Sequence, residues 1–229
     1  SSDLTEESGL ASSHASGLLV RGGVVYVATT RGVSLYDGHT WRSHTPASGL
    51  PGDHLFSLAQ RQGQLYAGSL QGLLVQNEDG QWTRFSRSNG VLPDSWVNAV
   101  ATVGSDLWVG TYDAGLARQD RHGRWTTYGS QEGLPCGWVN PNAMAQVKGQ
   151  LWLGTMEGGL LAFDGATFRH LSTRDGLAAM DVTAIAPTEE GVWIGTRGGI
   201  THLRPQEGPP PPPPTQNVPP PPPQRGPPW

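Results

Sequence analysis

Five side chains of three unlike types occupy one recurring position along this chain: His14, His54, Trp96, Trp138 and Asp181. Each lies in a loop leading into a short apolar segment. Two residues further on stand Ser16, Phe56, Asn98, Asn140 and Thr183, which are expected to point inward from the same rim. A second set of loops carries Arg31, Gln71, Tyr112, Asp113, Glu157 and Arg197. If one fold gathers these loops, the aromatic and polar groups make a cleft for a sugar or an extended peptide, since flat rings accept either a sugar face or a proline face. The competing reading has Trp96 and Trp138 capping a central channel as hydrophobic plugs.

Other chemistry has less support. His14, His54 and Asp181 are metal-ligating types, but no close-spaced ligand pair accompanies them, so no metal site and no cofactor is expected. Asp113, Glu157 and Asp181 could pair as acid and base if they converge. The chain lacks a Gly-x-Ser-x-Gly elbow, a His-Glu-x-x-His zinc motif and a phosphate loop with Lys, so catalysis is not expected. Cys136, between Pro135 and Gly137, reads as a tolerated small residue and leaves no internal disulfide. A net charge of −4 without runs argues against a nucleic-acid surface. No stretch approaches the roughly 18 apolar residues of a membrane span.

The elements that position these loops follow from a repeat. Val25-Tyr26-Val27-Ala28-Thr29 recurs as Leu65–Ser69, Leu107–Thr111, Leu151–Thr155 and Val192–Thr196. Its aromatic, at 26, 66, 108, 152 and 193, is spaced by 40, 42, 44 and 41 residues. A short alternating run precedes each anchor and a Gly-led run follows it. A tight turn such as Asp37-Gly38 or Asp164-Gly165 comes next, then a strand led by Trp41, Trp82, Trp125 or Phe168. Four short antiparallel strands in every 40–45 residues mark a β-propeller blade. The sequence therefore predicts an all-β, five-bladed β-propeller over residues 1–208. The fifth unit lacks its last strand, and residues 1–10 align with Phe168–Leu177, so the N-terminal strand is expected to complete that blade and close the ring. Pairing of two chains into one larger ring is the alternative.

The remaining residues are of another kind. Fourteen of the 20 prolines follow residue 204, and residues 209–229 must form a polyproline II tail ending at Trp229. Such a preformed rod suits aromatic-lined grooves, which makes the tail a tether or an assembly arm with Trp229 as its anchor. The expected partner is a protein or the chain's own subunits, with a glycan or peptide as a possible ligand. The chain opens at Ser1 without Met or a basic-apolar leader, as expected of a processed or shortened chain.

The motifs Asp-Gly-Leu at 175–177, Val-Thr-Ala-Ile at 182–185 and Gly-Val-Trp-Ile-Gly-Thr at 191–196, followed by Arg-Gly-Gly-Ile, resemble the two-component regulator propeller repeat. The resemblance covers all five units. It implies a propeller in an extracellular, periplasmic or cell-surface setting, as in sensors attached to histidine kinases and in related secreted proteins. Arrays in that family are usually longer, and these 229 residues hold no transmembrane helix or kinase. The resemblance thus implies fold and setting better than it implies signalling.

Overall fold

In the computed structural model, which describes residues 5–134 and 138–204, the repeat folds as five antiparallel blades. Blade 1 comprises Ala15–Arg21, Val24–Thr29, Gly32–Tyr36 and Trp41–His44. Blade 2 comprises Leu55–Arg61, Gln64–Ser69, Gly72–Gln76 and Trp82–Phe85. Blade 3 follows with Val97–Val103, Asp106–Thr111, Leu116–Gln119 and Trp125–Tyr128. Blade 4 has Val139–Val147, Gln150–Thr155, Leu160–Phe163 and Phe168–Leu171. Blade 5 has Val182–Thr188, Gly191–Thr196 and Gly199–Leu203. In every blade the strands pair in chain order, and the first strands of successive blades lie side by side at the centre. No helix of the described residues is long and apolar enough to cross a membrane.

The recurring small pair has a local cause. The hydroxyl at its end donates to the carbonyl of the glycine that opens the third strand: Thr29 to Gly32, Ser69 to Gly72, Thr111 to Gly115, Thr155 to Gly159 and Thr196 to Gly199, at 2.8–2.9 Å. The glycine is required because the outer strand passes close by. A Cβ on Gly72 would lie 2.2 Å from the Phe85 carbonyl oxygen, and Gly72 has φ +142°. The turn after the third strand is fixed by an aspartate. Asp37 accepts from the backbone amides of His39 and Thr40, and Asp164 from those of Ala166 and Thr167.

Each outer strand leaves through one turn of 3-10 helix ended by a left-handed glycine, as at Pro46–Ser48 with Gly49 and at Thr173–Asp175 with Gly176. Glu6–Ser8 with Gly9 repeats that turn ahead of blade 1. Residues 5–10 thus adopt the conformation that elsewhere follows an outer strand. The expected closing strand itself falls at residues 1–4, outside the described residues, as do the tail, Trp229 and Cys136.

The core lies between blades. Tyr26 and Val33 of blade 1 meet Leu55, Leu58, Leu65 and Ala67 of blade 2. Tyr66 and Leu73 of blade 2 meet Val97, Val100, Leu107 and Val109 of blade 3. Trp108 and Leu116 meet Val139, Met144, Leu151 and Leu153 of blade 4, and Trp152 and Leu160 meet Val182, Ile185, Val192 and Ile194 of blade 5. Each seam uses the same two blade faces. In blades 1 to 4 the anchor aromatic therefore belongs to the seam with the next blade.

Candidate ligand-binding face

The first strand of each blade starts, and the second ends, on one side of the molecule. The loops there are tied in pairs. The carbonyls of His14, Trp96, Trp138 and Asp181 accept from the amides of Thr30, Tyr112, Met156 and Arg197, each within its own blade, at 2.9–3.2 Å. This shared bond sets these positions as structurally equivalent. His54, at φ 49°, instead donates its amide to the Thr30 carbonyl of blade 1.

Four aromatic rings run across blades 2 to 4 on this face. Phe56 and Trp96 have centroids 6.2 Å apart, Trp96 and Tyr112 4.1 Å, and Tyr112 and Trp138 5.6 Å, with interplanar angles of 24°, 12° and 13°. The rings stand as a near-parallel stack, and Trp96 remains 37% exposed. The Trp138 indole N–H donates to Asp113 Oδ1 at 2.6 Å, which holds the end of the stack in place.

Polar groups occupy the remaining arc. His54 Nδ1 lies 2.9 Å from Asp53 Oδ1, which also accepts from the Gln71 amide at 3.0 Å. The bond from His54, with help from Gln71, holds the Asp53 carboxyl below its usual range. Asp181 pairs with Arg197 at 2.6 Å and accepts from Asn140 at 2.7 Å. Arg31 reaches Glu6 at 3.3 Å, while His14 and Glu157 are exposed. Two of the three carboxylates considered as a catalytic pair, Asp113 and Asp181, are thus engaged by Trp138 and by Arg197 with Asn140. Among the described residues, no three His, Cys, Asp or Glu side chains gather as a metal site would need.

Three of the inward-pointing set bond the next blade. Asn98 is buried and donates to the Val139 carbonyl of blade 4; Asn140 is buried and donates to the Val182 carbonyl of blade 5. Ser16 donates to the Leu55 carbonyl of blade 2. These three tie the first strands of blades 1, 3 and 4 to the next blade, while Phe56 stacks on Trp96 and Thr183 donates to Gly195 of its own blade.

Two features of the face were not singled out from sequence. Asp53 orients His54, and its only signal was adjacency. Asn142, at φ 57°, reaches across the centre to donate to the Ser16 carbonyl at 2.6 Å. Its signal was the 44-residue spacing between Trp108 and Trp152: the excess lies in the nine-residue strand Val139–Val147, whose pairing register shifts between Val139 and Met144.

Comparison with known proteins places the architecture. No known family's sequence pattern matches the chain, and no curated protein matches it in sequence. Solved structures share its fold. The extracellular domain of a hybrid two component system from B. thetaiotaomicron is 21% identical over 89% of this chain and 30% of its own, with a TM-score of 0.73. Virginiamycin B lyase from Staphylococcus aureus is 14% identical over 83% of this chain and 70% of its own, with a TM-score of 0.62. YCF48, solved with a bound peptide, is 16% identical over 80% of this chain and 60% of its own, with a TM-score of 0.56. The chain therefore spans under a third of the length of the sensor domain it matches, and sensor, enzyme and peptide binder share its architecture.

Proposed function

We infer that this chain is a non-enzymatic, extracytoplasmic propeller module that binds an extended, proline-rich peptide on the aromatic side of this face. The stack of Phe56, Trp96, Tyr112 and Trp138 carries the reading. Rings in a near-parallel stack turn their flat faces to one another and their edges to solvent. The spaces between such rings make an aromatic-lined groove of the kind that takes a polyproline II ligand, which loses little entropy on binding. The chain's own residues 209–229 have that composition, so the tail serves as a tether that docks on its own ring, with Trp229 anchoring its tip. The extracellular sensor domain and the peptide-bound YCF48 are similar in fold and in keeping with the setting and the ligand class.

Calorimetry with a synthetic peptide of residues 209–229, added to a chain ending at Gly208, tests the reading. Trp96→Ala with Trp138→Ala is expected to weaken binding by about tenfold or more, the scale of losing one or two aromatic anchors. Equal affinity in the double variant overturns it. The glycan alternative rests on the Asp53–His54–Gln71 cluster, and glycan-array binding lost in His54→Ala but kept in the double tryptophan variant would install it instead.

A further inference from the structure

Among the described residues, four seams join the five blades and two blade faces are left over. On blade 5 the anchor Trp193 is 46% exposed, and Ile200 is 72% exposed although its counterparts Val33, Leu73, Leu116 and Leu160 are fully buried. On blade 1, Leu18 and Val20 are 70% and 69% exposed. The positions of Leu18 and Val25 are those of Leu58 and Leu65, which fill the seam between blades 1 and 2. The two open faces are therefore the two halves of one more seam. No apolar cluster among the described residues joins them to each other.

Blade 5 also keeps the space such a seam needs. A Cβ on Gly68, Gly110 or Gly154 would strike the first strand of the next blade, at Val97, Val139 or Val182, within 2.5–2.8 Å. These glycines exist to let that strand approach. Gly195 holds the same position in blade 5, yet its nearest neighbour is Ala184 Cβ of its own blade at 3.2 Å. Thr183 tells the same story. Its counterparts Ser16, Asn98 and Asn140 each bond a carbonyl in the next blade, but Thr183 donates at 3.4 Å to Gly195 of its own.

We propose that the open face of blade 5 receives blade 1 of a second copy of this chain, so that copies join head to tail through a fifth seam. Trp193 and Ile200 of one copy pack on Leu18, Val20 and Val25 of the next, and the Ala15 strand lies against Gly195. Blade 1 presents the matching half, so the chain itself supplies the partner surface. Because the contact uses two different patches, it is heterologous; the rotation between blades 1 and 5 sets how many copies close a ring. The contact is independent of the ligand face.

The test is the mass of the full chain in solution by light scattering across a wide concentration range. The expected mass is two or more chains. Trp193→Glu with Ile200→Glu, and separately Leu18→Glu with Val20→Glu, are each expected to return the mass of one chain. An equimolar mixture of the two variants is expected to form a two-chain species, because each retains the half-seam the other lacks. Should glutamates disturb the blades, Leu18→Ser and Ile200→Ser are expected to weaken association by about tenfold or more. Trp96→Ala with Trp138→Ala should associate as the unaltered chain does. A single-chain mass for the unaltered protein, association untouched by the face variants, a mixture that stays single-chain, or loss of association in the tryptophan double variant would each overturn the proposal.

Discussion

Blades 3 and 5 carry nearly the same second strand, Leu107-Trp108-Val109-Gly110-Thr111 and Val192-Trp193-Ile194-Gly195-Thr196. Trp108 is nonetheless 2% exposed, whereas Trp193 is nearly half exposed. Both strands are the second of their blade and pair antiparallel on both sides, so the difference lies in what packs on the ring, including Tyr128 of blade 3's own outer strand at 5.4 Å from Trp108. It comes from the neighbour: blade 4 covers Trp108 with Val139, Leu151 and Leu153, and no blade among the described residues covers Trp193. In a repeat protein the same residue is core or surface according to what stacks on it, because stability resides largely in nearest-neighbour seams.

Substitutions placed in matched pairs break or sharpen that contrast. The largest effect is expected for Trp108→Ala, which empties the seam between blades 3 and 4 and should cost about 3–5 kcal/mol in urea unfolding. Trp193→Ala, compared in the single-chain species, should cost under about 1 kcal/mol. Equal losses at the two sites would show that blade 5 is covered after all. Next comes Gly110→Ala, whose new methyl would meet Val139 Cγ1 at 2.7 Å and should cost about 1–3 kcal/mol, against about 0.5 kcal/mol or less for Gly195→Ala.

Of similar or smaller size is Asn140→Ala. It removes the donor to the buried Val182 carbonyl and to one oxygen of the half-buried Asp181, for about 1–3 kcal/mol, while Thr183→Ala should fall near zero. The smallest effect is one the blades share. Backbone amides led by Thr40 hold Asp37 at about 2, and those led by Arg124 hold Asp120 at about 2, both below the ordinary 3.8. A carboxyl depressed in the fold stabilises it above its unfolded value and loses that contribution as pH falls through its folded one. Stability should therefore hold from neutral pH to about 4 and decline from there toward about 2. Asp37→Asn should flatten part of that decline in denaturant titrations at stepped pH, and an unchanged profile would remove the turn from the explanation.

The blades were legible because their signals are local. Strand alternation, the Gly-Thr pair and the Asp-Gly turn each act within a few residues, and the structure shows the bonds behind them, such as Thr111 to Gly115 and Asp37 to Thr40. The face was legible only in part. Alignment brought Trp96, Trp138 and Tyr112 to one rim, but whether they would stack or plug a channel depends on the distance between blades. Asn98 and Asn140 read as lining from their register, yet the neighbouring first strand lies close enough to take their hydrogen bonds. Asn142 was hidden because a residue displaced by a strand irregularity leaves the repeat's register.

By itself the sequence determined the period, the strands, their order and the amino-acid choices at turns and close approaches, since these depend on residues near in the chain or at a fixed repeat offset. The tertiary structure alone decided which aromatic rings meet, which polar groups spend their hydrogen bonds between blades, and which faces stay open. Those outcomes depend on the angle and spacing at which whole blades pack. That geometry is a sum over every seam, and no single repeat encodes it.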